Sequence, residues 1–278
     1  MLKIGQMNEL AIVREVEFGL YLDAEDFGDI LLPNRYVPPG WEIGDVLNVF
    51  VYTDSEDRLI ATTEVPLAMV GQFACLQVVE ATEIGVFLDW GLPKDLLLPL
   101  GEMKHRLKPG QYAIVYVFLD EHTGRVAASA RLNQHLDKSA PEYQENEPVD
   151  LLITNQTDLG YRAIINNAHL GVLFNSDLAG PLQIGTTIKG FVKRIRPDGK
   201  IDLMARKFDF KVVTDFLDVI MAKLESSGGF LPLTDKTDPK YIYDMFGVSK
   251  KVFKKAVGSL YKKRLIMIEE DGIRKVTP

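Results

Sequence analysis

From Ser249 to Arg264 the chain carries seven basic residues and no acidic one. Lysine ammoniums are compact point charges. They suit phosphate neutralisation better than bidentate reading of base edges. On a helix, at about 100° per residue, Lys251, Lys254, Lys255 and Lys262 share one side, and Val252, Phe253, Ala256, Val257 and Leu260 form an apolar stripe on the other. Gly258 falls among the lysines, where a phosphate can approach the backbone. A second basic run reads Lys189, Lys193, Arg194 and Arg196, then Lys200, Arg206 and Lys207. It falls on two predicted strands, where Lys189 and Lys193 share a face by the two-residue period. Both runs predict salt-sensitive affinity for a polyanion.

Aromatic side chains supply the complementary chemistry, because every base has a face to stack; each stacked base is worth roughly 1–3 kcal/mol. The candidates are Phe18 and Tyr21, then Phe87, then Phe174, with Arg162 able to stack through its guanidinium plane. Packing against a neighbouring module is the competing role for Phe18 and Tyr21. Catalytic chemistry finds no comparable constellation. The chain has no phosphate-binding P-loop, no Cys-x-x-Cys, no His-Glu-x-x-His and no Gly-x-Ser-x-Gly. His105, His122, His135 and His169 are scattered without metal-ligand spacing. The expectation is a protein without catalysis, metal or cofactor.

The elements that must position these groups come from a threefold repeat. Phe18-Gly19-Leu20-Tyr21-Leu22, Ile84-Gly85-Val86-Phe87-Leu88 and Leu159-Gly160-Tyr161-Arg162-Ala163 stand 66 and then 75 residues apart. Gly44, Gly110 and Gly185 keep the same two steps, and Gly5 and Gly71 precede the first two copies by 14 residues each. Two glycine series in register mark an array of like modules. Each copy reads as five short strands with hairpin turns such as Pro197-Asp198-Gly199, which predicts a closed barrel of the OB type. The expected modules are 1–67, 68–132 and 146–207, with a polar linker over 133–145.

After residue 207 the pattern changes. A helical apolar spacing through Leu224 is followed by Ser226-Ser227-Gly228-Gly229 and a short extended piece at Phe230. Asp238 with Pro239 starts a second helix, Ser249 starts a third reaching to about Arg264, and a hairpin surrounds Glu270-Asp271-Gly272. Over 208–278 this is the layout of a winged helix. Charge is unevenly spread. Net formal charge is −9 over 1–67, −1 over 68–135, 0 over 136–207 and +3 over 208–278. A polyanion partner is therefore expected toward the C-terminal end. One cysteine, Cys75, no apolar run of membrane length and no secretory leader predict a cytoplasmic protein without membrane contact.

The repeats resemble the S1 RNA-binding domain. The likeness rests on the aromatic-Gly-x-aromatic step quoted above and on last strands such as Val126-Ala127-Ala128-Ser129-Ala130-Arg131. Three such repeats followed by a winged helix are similar to the conserved virulence factor B (CvfB/YitL) family, described as RNA-binding regulators. The copies depart from the pattern unequally. Only the first keeps both aromatics. Ile84 and Leu159 replace the first aromatic later, and the family's histidine is Pro33, Pro99 and Phe174 in turn. The resemblance implies a mainly β protein of three tandem OB-fold barrels with a C-terminal α+β module. It also implies a regulator that binds single-stranded RNA, here through the third barrel and the winged helix. Two alternatives stand beside it. One is a DNA-binding regulator using the winged helix. The other is a scaffold whose acidic first barrel docks the translation or RNA-decay machinery.

Overall fold

Along Gly19–Asp23, Leu20 and Leu22 are buried while Tyr21 is half-buried and Asp23 exposed. This alternation recurs strand after strand and gives each module one apolar face to close around. The computed structural model of the protein describes residues 1–178, 180–205 and 210–276. Its first barrel comprises β1 (Met7–Val16), β2 (Gly19–Asp23), β3 (Asp29–Pro33), β4 (Val46–Thr53) and β5 (Leu59–Thr62), in the cyclic order β1-β2-β3-β5-β4. The second has β6 (Phe73–Ala81), β7 (Gly85–Asp89), β8 (Leu96–Pro99), β9 (Tyr112–Leu119) and β10 (Val126–Ser129). The third has β11 (Pro148–Thr157), β12 (Gly160–Ile165), β13 (His169–Phe174), β14 (Thr187–Ile195) and β15 (Ile201–Met204). All three close with the same strand order. Closure removes the unpaired edges that tandem open sheets would expose.

The glycine repeat has a steric cause. Gly19, Gly85 and Gly160 each open the second strand of their barrel. A Cβ there would lie 2.2, 2.3 and 2.0 Å from the carbonyl oxygens of Leu32, Leu98 and Leu173 on the neighbouring strand. Replacing Gly160 by alanine forces β12 and β13 apart, with an expected loss of about 1–3 kcal/mol. Urea unfolding measures it, and an unchanged midpoint would show that the strands part freely. The third copy lacks a counterpart to Gly5 and Gly71, but Asn146 takes that place with φ +65°. Its N–H reaches Val192 O at 2.8 Å, as those of Gly5 and Gly71 reach Val51 and Val117. Asparagine tolerates the left-handed region better than other non-glycine residues. Each first strand also carries a bulge at one equivalent place, between Ile12 and Arg14, Val78 and Glu80, and Ile153 and Asn155. The extra twist helps so short a sheet to close.

The chain divides into two compact units, Met1–Asp137 and Lys138–Pro278. In the first unit, β4 is buried on both sides. Val49 and Val51 enter the core of the first barrel, whereas Phe50 and Tyr52 join the core of the second. The segment expected as linker is anchored at both ends. Within it, α1 (Leu132–His135) lays the His135 ring on Tyr116 at 4.3 Å, and the Tyr143 hydroxyl meets His169 Nδ1 at 2.9 Å.

The second unit ends in the winged helix. It comprises α2 (Phe210–Ser226), β16 (Phe230–Leu231), α3 (Pro239–Phe246), α4 (Lys250–Lys262), β17 (Ile266–Ile268) and β18 (Ile273–Lys275), with the sheet ordered β16-β18-β17. Asp238 accepts from the Lys240 N–H at 2.7 Å, and the Ser249 hydroxyl accepts from the Val252 N–H at 3.4 Å. These caps satisfy amide donors that a helix start leaves open. Gly247, at φ +67°, turns α3 into α4. The last helix stops at Lys262, short of the expected reach to Arg264, because Arg264 adopts φ +59° and sends the chain into β17. Phe253, Ala256, Val257 and Leu260 bury against α2 and the small sheet, which leaves the lysine side of α4 outward.

Candidate nucleic-acid interface

The aromatic steps of the first unit are partly covered. Phe18 is 56% exposed at the β1–β2 turn. The Tyr21 ring lies beneath the Arg14 guanidinium at 3.9 Å, and Arg14 also pairs with Asp29 at 3.4 Å. Phe87 lines a cavity of about 180 Å³ with Ile84, Leu97 and Pro99, and Tyr52 and Thr53 of the first barrel form part of the wall. Lys94 ties that contact together, its ammonium donating to Thr53 O at 3.0 Å and Asp54 O at 2.6 Å. Burial pulls the Lys94 pKa below the ordinary lysine value.

The second unit assembles its charges differently. Phe174 ends β13 with the Lys193 ammonium 5.7 Å and the Arg196 guanidinium 5.6 Å from its ring centre. A bulge in β14 between Val192 and Arg194 offsets the alternation, so Arg194 is exposed beside the half-buried Lys193. Arg194 and Arg196 converge on Asp202 of β15 at 2.8 and 2.7 Å, and the Asp202 side chain is only 2% exposed. Burial pushes its carboxyl up, but hydrogen bonds from Arg196 and Arg194 outweigh that and hold it below the usual aspartate value. Its stabilising contribution is therefore complete above the unfolded aspartate pKa of about 3.9 and is lost as pH falls through the lower folded value. Asp202→Asn is expected to cost about 1–3 kcal/mol at neutral pH, the water around both arginines moderating the loss. In thermal unfolding across pH, the gap to wild type should shrink below about pH 4. A gap that persists into strong acid would assign the loss to packing.

Asp177 forms a second anchor. It follows Phe174 in a short 3₁₀ turn, and its side chain is 6% exposed. One oxygen meets Lys193 at 2.5 Å and the other meets Lys251 of α4 at 3.4 Å. A single carboxylate thus joins the basic strand of the third barrel to the basic helix. Between them lies an open cleft of about 350 Å³ lined by Ser176, Asp177, Lys250, Lys251, Lys254 and Lys255. Lys193, Arg194, Arg196 and Lys251 converge on two carboxylates, Asp177 and Asp202. Sequence reasoning named the cations but missed Asp177 and Asp202; Asp202 stands as an acid between Lys200 and Arg206, whereas Asp177 has no lysine or arginine within ten positions on either side.

The other expected residues pair locally or face solvent. Lys189 is 84% exposed and pairs with Asp150 at 2.6 Å, and Lys200 pairs with Asp198 at 2.8 Å. Arg162 is exposed on β12. Lys254 lies 3.9 Å from Asp235, while Lys255 and Lys262 are exposed on α4. Arg206 and Lys207 lie outside the described residues.

A model of the S1 domain matches residues 4–64 and again 70–130, and a model of the CvfB-like winged helix domain matches residues 218–274. The chain carries two S1 domains and a CvfB-like winged helix domain. Among similar proteins, YitL of Bacillus subtilis is 29% identical over 93% of this chain and 89% of its own length. The Conserved virulence factor B of Staphylococcus epidermidis is 25% identical over 84% of this chain and 80% of its own. A solved structure from Streptococcus pneumoniae, described as a multidomain protein with nucleic acid binding domains, is 25% identical, with 98% of both chains covered and a TM-score of 0.43. The third barrel lies outside all three matched ranges; its strand order identifies its fold. S1 and winged-helix domains are nucleic-acid-binding modules, and their presence points to nucleic-acid binding as the function class of this chain. No helix among the described residues is long and apolar enough to cross a membrane.

Proposed function

We propose that this protein is a non-catalytic, cytoplasmic RNA-binding regulator that holds single-stranded RNA along the third barrel and α4. The observation that carries this reading is the shared Asp177 carboxylate, with Lys193 on one oxygen and Lys251 on the other. It makes the barrel strand and the winged-helix lysines one basic track. Phe174, flanked by Lys193 and Arg196, supplies a half-buried aromatic surface at the barrel end of that track. A single strand offers phosphates to the lysines and unpaired bases to the ring at once, whereas a duplex keeps its bases stacked internally.

The test compares labelled single-stranded RNA with duplex DNA of equal length, at several salt concentrations, for the whole chain and for fragments 1–137 and 138–278. RNA affinity should reside in 138–278 and fall steeply with salt. Affinity confined to 1–137 would overturn the assignment. Preference of 138–278 for duplex DNA would install the winged helix as a DNA reader. Absence of binding by every form would favour a protein-docking role for the acidic first barrel.

A further inference from the structure

We infer that the outer face of α4 carries a stacking site for one unpaired nucleobase, formed by Tyr261 and a notch at Gly258. This deepens the RNA-binding reading and rests on it. Gly258 lies inside a regular helix and has no left-handed φ. A Cβ built on it would meet nothing within 4 Å beyond its own helix backbone. Nothing in the packing therefore asks for glycine, although glycine inside a helix costs about 1 kcal/mol relative to alanine. What it provides is a methyl-sized gap in the helix face, with Lys254 one turn before it and Lys262 one turn after.

Tyr261 is the second feature the fold does not use. Its side chain is 54% exposed, while the core-facing residues of α4 are buried. Among the described residues its ring has no aromatic, cationic or hydrogen-bonding partner. Helical side chains lean toward the helix N-terminus, so a residue covers the turn that precedes its own Cα. Tyr261 stands three residues after Gly258, so that lean carries its ring toward the gap, and none of its side-chain atoms comes within 4 Å of a Cβ built on the glycine. An exposed ring, a gap beside it and lysines on either side form a place for a base to stack while its phosphates meet Lys254, Lys255 and Lys262. Interleaving of aromatic and basic groups is how single strands are held without sequence readout. A duplex offers no free base face here.

The test uses the whole chain and a fluorescein-labelled oligouridine RNA, with anisotropy for affinity and circular dichroism for thermal unfolding. Tyr261→Ala should weaken binding by roughly 5- to 100-fold with an unchanged salt slope, because stacking releases no counterions. Tyr261→Phe should stay within about twofold of wild type, since the ring and not the hydroxyl does the stacking. Gly258→Ala should raise the unfolding temperature by a few degrees and still weaken binding by about threefold or more, so misfolding cannot account for the loss. If wild type binds and both alanine variants bind equally well, the stacking site is overturned and the wider RNA reading stands. If Gly258→Ala lowers the unfolding temperature, the glycine is structural and the notch is overturned. If wild type fails to bind oligouridine at low salt, both readings fall together.

Discussion

Replacing Lys251, Lys254, Lys255 and Lys262 together by alanine is expected to weaken single-stranded RNA binding by about 100-fold or more at moderate salt. Each phosphate neutralised on a single strand contributes roughly 0.7 to the slope of log affinity against log salt, so losing four contacts lowers the slope by nearly 3. The fold should tolerate the change. Lys254, Lys255 and Lys262 are exposed, Lys251 is half-buried at the cleft, and alanine is the strongest helix former. Asp177 keeps Lys193 as a partner when Lys251 is removed. Lys262 also sits at the helix C-terminus, where its charge favours the helix by about 0.3–1 kcal/mol. A small drop in unfolding temperature is therefore expected beside the large loss of affinity. The measurement is affinity at several salt concentrations for wild type and the fourfold variant. An unchanged slope would remove α4 from the interface.

Trp90→Ala should cost about 3–5 kcal/mol and uncouple the first two barrels. Trp90 is 2% exposed, with its ring centre 5.6 Å from that of Phe50 and 6.2 Å from that of Tyr52, both in edge-on geometry. Aromatic pairs of this kind add about 0.5–1.5 kcal/mol beyond the area they bury. Phe50 and Tyr52 stand on the outer side of β4, so losing the indole opens a cavity between modules and leaves the Leu20–Leu22 core of the first barrel whole. The indole N–H also donates to Lys94 O at 2.6 Å, placing the lysine whose ammonium ties down Thr53 and Asp54. One substitution thus loosens both the apolar and the polar halves of the junction. The chain has two tryptophans, so in the variant Trp41 fluorescence reports the first barrel while circular dichroism reports the whole chain. The two signals should part in denaturant. Coincident curves at the wild-type midpoint would show that each barrel stands without the other.

Much of the architecture was legible in the residues because its causes are local. Gly19, Gly85 and Gly160 recur because a neighbouring carbonyl leaves no room for a Cβ. Asp238, Gly247 and Ser249 mark helix ends because backbone groups there need partners or a left-handed turn. The role of β4 was half visible. Val49-Phe50-Val51-Tyr52 breaks the one-face alternation, the mark of a strand buried on both sides, but nothing local names Trp90 as the residue it meets.

The sequence by itself determined three barrels, a winged helix and a drift of positive charge toward the C-terminal end. Periodicity, steric demand and composition are carried by neighbouring residues, and these features need nothing more. Only the tertiary structure decided which groups share a site. It put Tyr21 beneath Arg14, walled the Phe87 cavity with the first barrel, and turned Arg194 and Arg196 onto Asp202. It also set Asp177 between Lys193 and Lys251. Phe87 and its wall from the first barrel, and Asp177 and Lys251, are distant in the chain, and no period relates any of these groups. Their meeting depends on barrel closure, on a strand bulge and on how one module packs against the next.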